Sequence, residues 1–270
     1  MKLSIITVNL NNRDGLQKTI DSVVCQTFKD FEWIIIDGGS TDGGKELIEK
    51  YSEHFSYWVS EPDKGIYNAM NKGILKANGE YILFLNSGDY LYTSSTINDV
   101  FSIPRFADVI YGDIVMEDSG WQEKRPKNIS MYYLIHGGTI SHSGGSFIKK
   151  NLFDTFGLYD EELKIVSDWK FFIITVGLNN ASTQYIDSIF SYYNEGVSSD
   201  KELCRYERAY TLNKLLPAKI IEDYQAFFEI ENKNSEYKLV LQSAKKLSSI
   251  PYIKLIKALL IKTFRAIFSH

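Results

Sequence analysis

Ser4-Ile5-Ile6-Thr7-Val8-Asn9 and Trp33-Ile34-Ile35-Ile36-Asp37-Gly38-Gly39-Ser40-Thr41-Asp42 decide the fold. Each is a short, unbroken apolar run that stops in polar, turn-forming residues. Runs of this length read as strands buried on both faces, which is the habit of a parallel sheet covered by helices. Between them Leu16, Ile20, Val23 and Val24 recur at helical spacing from about Asp14. The first unit is therefore strand, helix, strand.

The same alternation continues outward. A short helix is predicted over Lys45–Tyr51, a strand over Phe55–Val59 and a helix over Gly65–Ala77 with Ile66, Met70 and Ile74 inward. Strands follow at Tyr81–Leu85 and Val109–Tyr111. Strands alternating with helices specify an α/β class, here a doubly wound, mostly parallel sheet with helices on both faces. Beyond residue 113 the pattern loosens. A hairpin is expected from Ile114–Met116 and Trp121–Lys124, strands at Ser146–Ile148 and Ile189–Tyr193, and a helix over Asp168–Val176. Helical spacing then dominates over Glu202–Leu216, Ile220–Phe228 and Tyr237–Phe268, with polar Glu229–Ser235 read as a linker. The expected organisation is a catalytic domain over 1–200 and a helical extension over 201–270.

Composition limits the function classes. With 270 residues, 44% hydrophobic and 24% charged, the chain is globular rather than disordered or collagenous. Tyr, Phe and Trp number 18, 16 and 4, enough for a large core and for stacking surfaces besides. Cys25 and Cys204 stand far apart with no CxxC or Cys/His spacing, so neither a disulfide framework nor a zinc site is expected. The net charge of −4 argues against nucleic acid as a partner. It is unevenly spread: residues 236–270 carry +6 and residues 1–235 carry −10. The apolar run in Met1–Asn9 is too brief for a secretory leader, and no apolar stretch is long enough to span a bilayer, so a cytoplasmic location is expected.

In open parallel sheets ligands bind where the strands end, because loops and helix N-termini converge there. Here the strand ends deliver Thr7-Val8-Asn9, Asp37-Gly38-Gly39-Ser40-Thr41-Asp42, Glu61-Pro62-Asp63-Lys64-Gly65 and Asn86-Ser87-Gly88-Asp89. Any one of these also reads as a turn or a helix cap. Three acidic clusters after successive strands are a different matter, since crowded carboxylates need cations or donors between them. There is no GxGxxG after the first strand and no GxxxxGK[ST], which leaves dinucleotide-binding and P-loop readings without support.

These segments resemble the N-terminal half of family 2 glycosyltransferases. The resemblance rests on Ser4–Asn9, Ser22-Val23-Val24-Cys25-Gln26-Thr27, Trp33–Asp42, Glu61–Gly73 and Gly79–Asp89, five segments in order, and extends over about residues 1–195. A subgroup making bacterial surface polysaccharide is the most similar. The resemblance implies a GT-A fold, a nucleotide-sugar donor, a divalent metal (Mg²⁺ or Mn²⁺) and inversion at the anomeric centre. By position, Thr7, Val8 and Asn9 would line the nucleotide pocket and Asp37 would hydrogen-bond the base. Glu61, Asp63 and Lys64 would flank the nucleoside, with Asn71 and Lys72 nearby. The family's Asp-x-Asp motif reads Asn86-Ser87-Gly88-Asp89 here, so Ser87 and Gly88 would meet the nucleotide sugar and Asp89 alone would bind metal directly. One carboxylate plus phosphates and water suffices for magnesium. Ser167-Asp168-Trp169 falls at the family's acidic pair, which makes Asp168 the general base.

Three further residues are candidate donor or acceptor contacts. His142 lies in a polar, glycine-rich run, Asp113 follows the fifth strand, and Trp169 adjoins Asp168. A structural histidine and a turn aspartate are the alternatives. In the tail, Ile253, Ile256, Leu260, Phe264 and Ile267 recur at helical spacing, and Lys254, Lys257, Ile261 and Arg265 follow another, mostly cationic line. Such a helix suits an anionic membrane surface, which predicts peripheral attachment to the inner face of the cell membrane near a glycan or lipid-linked acceptor. Packing on the body or in a homo-oligomer is the alternative. Two rival functions stay open: nucleotidyl transfer that builds nucleotide sugars, and a membrane-associated nucleotide-sugar-binding module with weakened catalysis.

Overall fold

The computed structural model describes residues 1–103, 107–136, 138–194 and 200–247. Strand β1 (Leu3–Asn9) is buried along its whole length. It pairs in parallel with β2 (Phe31–Asp37) on one side and β4 (Tyr81–Phe84) on the other, and β3 (Tyr57–Ser60) adds in parallel to β2. The continuous apolar runs are explained by cover on both faces. Leu3, Ile5, Trp33 and Ile35 join a core with Leu16, Ile20 and Val23 of α1 (Arg13–Val24) and Leu47 and Ile48 of α2 (Gly44–Lys50). Helix α3 (Ile66–Lys76) packs against β1 and β2.

The second half of the sheet reverses direction. Strand β8 (Ser146–Lys149) lies antiparallel between β4 and β6 (Val109–Met116), and β9 (Thr183–Tyr193) runs parallel to β6. Short strands β5 (Tyr90–Leu91) and β7 (Gln122–Glu123) pair antiparallel with β9 and β6. The described residues thus form a nine-stranded sheet in the order β3-β2-β1-β4-β8-β6-β9-β5, with β7 beside β6. Helices α4 (Thr96–Phe101), α5 (Met131–Ile135), α6 (Lys150–Phe156) and α7 (Ser167–Phe172) complete this part, α7 running on into a π-helical turn at Ile173–Leu178.

The expected α/β architecture holds, with three differences. The fifth strand and the first strand of the expected hairpin are one element, β6. A register shift at Gly112 and Asp113 keeps it paired to β9, and a Cβ on Gly112 would sit 2.5 Å from the Phe190 ring. Second, the helix expected over Asp168–Val176 is α-helical only to Phe172. Third, Glu229–Ser235 is no linker. Helix α9 runs unbroken over Ala218–Leu247, because that stretch has neither Gly nor Pro and is rich in Glu, Lys, Gln, Leu and Ala. Polar residues there mark exposure, not a break.

The chain divides into two compact units, Met1–Lys214 and Leu215–His270, so most of α8 (Lys201–Leu215) belongs to the first. The expected basic amphipathic stretch at 250–268 lies outside the described residues. Among the described residues no helix is long and apolar enough to cross a membrane.

Candidate active site

Because β1 is flanked by β2 and β4, the ends of three adjacent parallel strands converge. Thr7 is fully buried and accepts a hydrogen bond from Trp33 Nε1 (3.1 Å), and Val8 is buried beside it. Asn9 donates from Nδ2 to Asp37 Oδ1 (2.7 Å), while its Oδ1 is buried with no partner. Asp37 is fully buried and accepts from Ser40 N (2.9 Å), Ser40 Oγ (2.5 Å) and Ser60 Oγ (2.6 Å) as well. Burial alone would raise its pKa, but Ser40, Ser60 and Asn9 outweigh it and hold the carboxyl below its ordinary value. The Asp37 carboxylate organises the loop from within, drawing β1, β2 and β3 ends together.

Over that loop lies Asp63. A Cβ on Gly38 would come within 2.5 Å of Asp63 Oδ2, so glycine is what permits the approach. Asp63 Oδ1 accepts from Gly65 N (2.8 Å), and Lys64 N donates to Asn68 Oδ1 (3.2 Å). Glu61 is exposed and pairs with Lys72 (2.7 Å). Asn71 is turned elsewhere: it is buried, donates to the Tyr159 carbonyl and to Glu161 (both 2.9 Å), and accepts from Tyr159 N (3.0 Å). It ties α3 to the segment leading into α7.

The turn after β4 is stitched to the first loop. Ser87 N donates to the Val8 carbonyl (3.0 Å), Asn12 Nδ2 donates to the Ser87 carbonyl (2.8 Å), and Gly88 adopts φ +103°, a conformation costly for any other residue. Asp89 is 3% exposed. Its Oδ1 accepts from Asn194 N (2.9 Å) and its Oδ2 from Ser143 Oγ. Desolvation prevails over those two bonds and pushes its pKa up to about 6. Asn86 Oδ1, in the same turn, is buried without a partner.

Asp168 reaches the same neighbourhood from the other half of the sheet. Its Oδ1 accepts from the Tyr67 hydroxyl (2.7 Å) and its Oδ2 lies 3.0 Å from His142 Nδ1. Burial opposes its charge, yet His142 and Tyr67 hold the carboxyl below its ordinary value, and the same contact raises the His142 pKa against its own desolvation. His142 precedes the residue that binds Asp89, so consecutive residues grip the two aspartates. Both His142 and Asp168 line a cavity of about 230 Å³, together with Trp169, Arg125 and Arg208. Trp169 is buried, donates from Nε1 to the Leu134 carbonyl (2.8 Å), and carries Arg208 over its ring at 4.8 Å.

Asp113 is fully buried, not open to the cavity. It accepts from Arg125 N, Gln122 Nε2 and Tyr185 OH (all 2.9 Å), clamping the β6–β7 hairpin to β9. Sequence reasoning did not single out Tyr67, Ser143, Arg125, Asn194 or Glu207. Glu207 is buried on α8 and accepts from the backbone N–H of Lys164 (2.7 Å), Ile165 (2.9 Å) and Val166 (3.3 Å), which fixes the entry to α7 and so Asp168. Nothing in local spacing announces such partners. Glu207 is one of several charged residues on α8, and nothing in its spacing sets it apart from them until the chain folds.

Among the described residues no three His, Cys, Asp or Glu side chains form a metal-holding group. What the turn after β4 does offer is the Asp89 carboxylate and the unpartnered Asn86 oxygen, both hard oxygen donors.

Comparison with known proteins identifies the family and supports the fold. Residues 4–160 match the model of glycosyl transferase family 2. A PGL/p-HBAD biosynthesis glycosyltransferase of Mycobacterium bovis (strain BCG / Pasteur 1173P2) is 30% identical over 213 residues, covering 75% of this chain and 82% of that protein. An uncharacterized glycosyltransferase of Mycobacterium tuberculosis (strain CDC 1551 / Oshkosh) is 32% identical over 176 residues, covering 63% and 67%. Among solved structures, S. aureus TarS 1-349 in complex with UDP-GlcNAc superposes with TM-score 0.65 at 21% identity, covering 84% of this chain and 71% of that one. Against the longer TarS chain the match spans 43% of its length. The strand ends, the loops they carry and the family match converge: the chain belongs to glycosyl transferase family 2 and is a glycosyltransferase.

Proposed function

We propose that the protein moves a sugar from a nucleoside diphosphate sugar, with uridine as the first choice of base, to a hydroxyl of a glycan or lipid-linked acceptor, with inversion. The reading is carried by one observation: Asp168 is held as a buried carboxylate by Tyr67 and His142 in a cavity wall, next to the turn that ends in Asp89. Inversion needs a base on the face opposite the leaving diphosphate, and Asp168 is the group suited to it. Asp63, Lys64 and the Glu61–Lys72 pair form the nucleoside end, with Asn9 buried beneath them and tied to Asp37.

Asp89 and Asn86 would hold a divalent cation, Mg²⁺ or Mn²⁺, which when bound supplies positive charge to the departing diphosphate. The chain's own residues orient donor and acceptor and take the proton. The +6 charge of residues 236–270 supports work at an anionic membrane face, where a lipid-linked acceptor lies.

A thermal-shift screen of UDP-, GDP- and dTDP-sugars with Mg²⁺ or Mn²⁺, followed by assay of nucleoside diphosphate release, tests the reading. One donor class should raise Tm and be consumed, and the anomeric configuration of the product should be opposite to that of the donor. Absence of both stabilisation and turnover across all donors and both ions overturns it.

A further inference from the structure

The hairpin that leads from β6 to β7 presents Trp121 at 62% exposure. Indole of that size normally gains stability by burial, so its position at the mouth of a cavity calls for an occupant. The cavity measures about 440 Å³, and Trp121 shares its wall with Glu117, Asp118 and Ser119. Met116, Glu123 and Tyr193 line both this cavity and the smaller one that holds Asp168 and His142. The two are adjoining parts of one track, the outer nearly twice the volume of the inner.

Charge selects the occupant. Among the described residues no Lys or Arg lines the outer cavity, so a nucleotide, a phosphate or an acidic headgroup finds no counter-charge there. Its polar side-chain groups are three carboxylates, the Ser119 and Tyr193 hydroxyls and the Trp121 indole N–H. Ionised carboxylates only accept, so a ligand that bonds to them must offer donors. Glu117 already takes Lys18 (2.5 Å) and Glu123 takes Arg125 (3.0 Å), which tempers the demand for a cation. A sugar ring meets both needs: its C–H face lies on the indole and its hydroxyls donate to Asp118 and its neighbours. We propose that the outer cavity is a carbohydrate subsite for the acceptor, so that the acceptor is a glycan of at least two rings, one at Asp168 and the next stacked on Trp121. This rests on the transferase reading only for the word acceptor; the saccharide site stands or falls separately.

The test uses the full chain and ¹⁵N–¹H spectra of its four tryptophan indoles, titrated with cellobiose, maltose, lactose and N,N′-diacetylchitobiose. At least one should shift the Trp121 indole, while Trp33, buried and bonded to Thr7, stays put. With that disaccharide as acceptor, Trp121→Ala should raise its KM by tenfold or more, and Trp121→Phe should recover most of the loss. Failure of all four sugars to move Trp121, a shift by oligolysine in their place, or an unchanged acceptor KM in Trp121→Ala overturns the subsite. Absence of nucleoside diphosphate release by the unaltered protein sinks the transferase reading instead, and leaves the indole titration to decide the saccharide site.

Discussion

His142 Nδ1 stands 3.0 Å from Asp168 Oδ2, and the next residue, Ser143, donates to Asp89. A single dipeptide thus couples Asp168, the proposed base, with Asp89, the proposed metal-binding carboxylate. Tyr67 closes the other side of Asp168, so that aspartate has little freedom to move.

Replacing Asp168 with Asn keeps the shape and removes the proposed base. A positioned general base contributes about 10²- to 10⁴-fold. Asp168→Asn should therefore lower kcat by roughly that factor while nucleotide-sugar affinity, measured calorimetrically, stays within a few fold. Wild-type turnover in that variant excludes Asp168 as the proton acceptor.

The His142–Asp168 contact should leave a pH signature in stability. The histidine's pKa is raised, so its contribution is fully present below the ordinary value of 6.5 and fades as pH climbs through the raised one. The aspartate's is lowered, so its contribution is present above 3.8 and fades as pH falls. The Tm gap between wild type and His142→Ala should be widest between 3.8 and 6.5 and narrow at alkaline pH. Breaking a buried pair costs about 3 kcal/mol. A gap independent of pH contradicts an ionic contact.

Asp89 shows the opposite sign. Its pKa is raised to about 6 by desolvation, so ionising it costs the folded state as pH rises from the ordinary carboxylate range through 6. Asparagine can still accept from Asn194 N and interact with Ser143 without carrying charge. At pH 8 in chelator, Asp89→Asn should be at least as stable as wild type, and it should lose both activity and any response to Mg²⁺ or Mn²⁺. A drop in Tm with activity retained rejects this account.

Glu207 supports the site from a distance. Glu207→Ala leaves the N–H groups of Lys164, Ile165 and Val166 without their carboxylate. Unfolding in urea should show a loss of about 3 kcal/mol. Glu207→Gln should lose less, since the amide oxygen still accepts.

Much of the fold is legible because local chemistry repeats. Apolar runs such as Ile34-Ile35-Ile36 carry their own burial requirement, and helical spacing in Leu16, Ile20 and Val23 states which side faces the sheet. The acidic strand ends are equally visible, since Asp37 closes β2 and Asp63 and Asp89 lie in the loops that follow β3 and β4. The polar stretch 229–235 misled because charge reports exposure and says nothing of backbone continuity.

What each acidic group does was settled in three dimensions. Asp37 turned out to be an internal tie for its loop, Asp113 a clamp for a hairpin, and Asp168 a carboxylate shared by Tyr67 and His142. Residues 67, 142 and 168 come from separate stretches of chain, and no periodicity relates them. The linear order of residues determines strands, helices and which loops end at one edge, because those follow from neighbours a few positions apart. Hydrogen-bond partners, burial and pKa depend on atoms brought together from remote positions, and only the folded chain decides them.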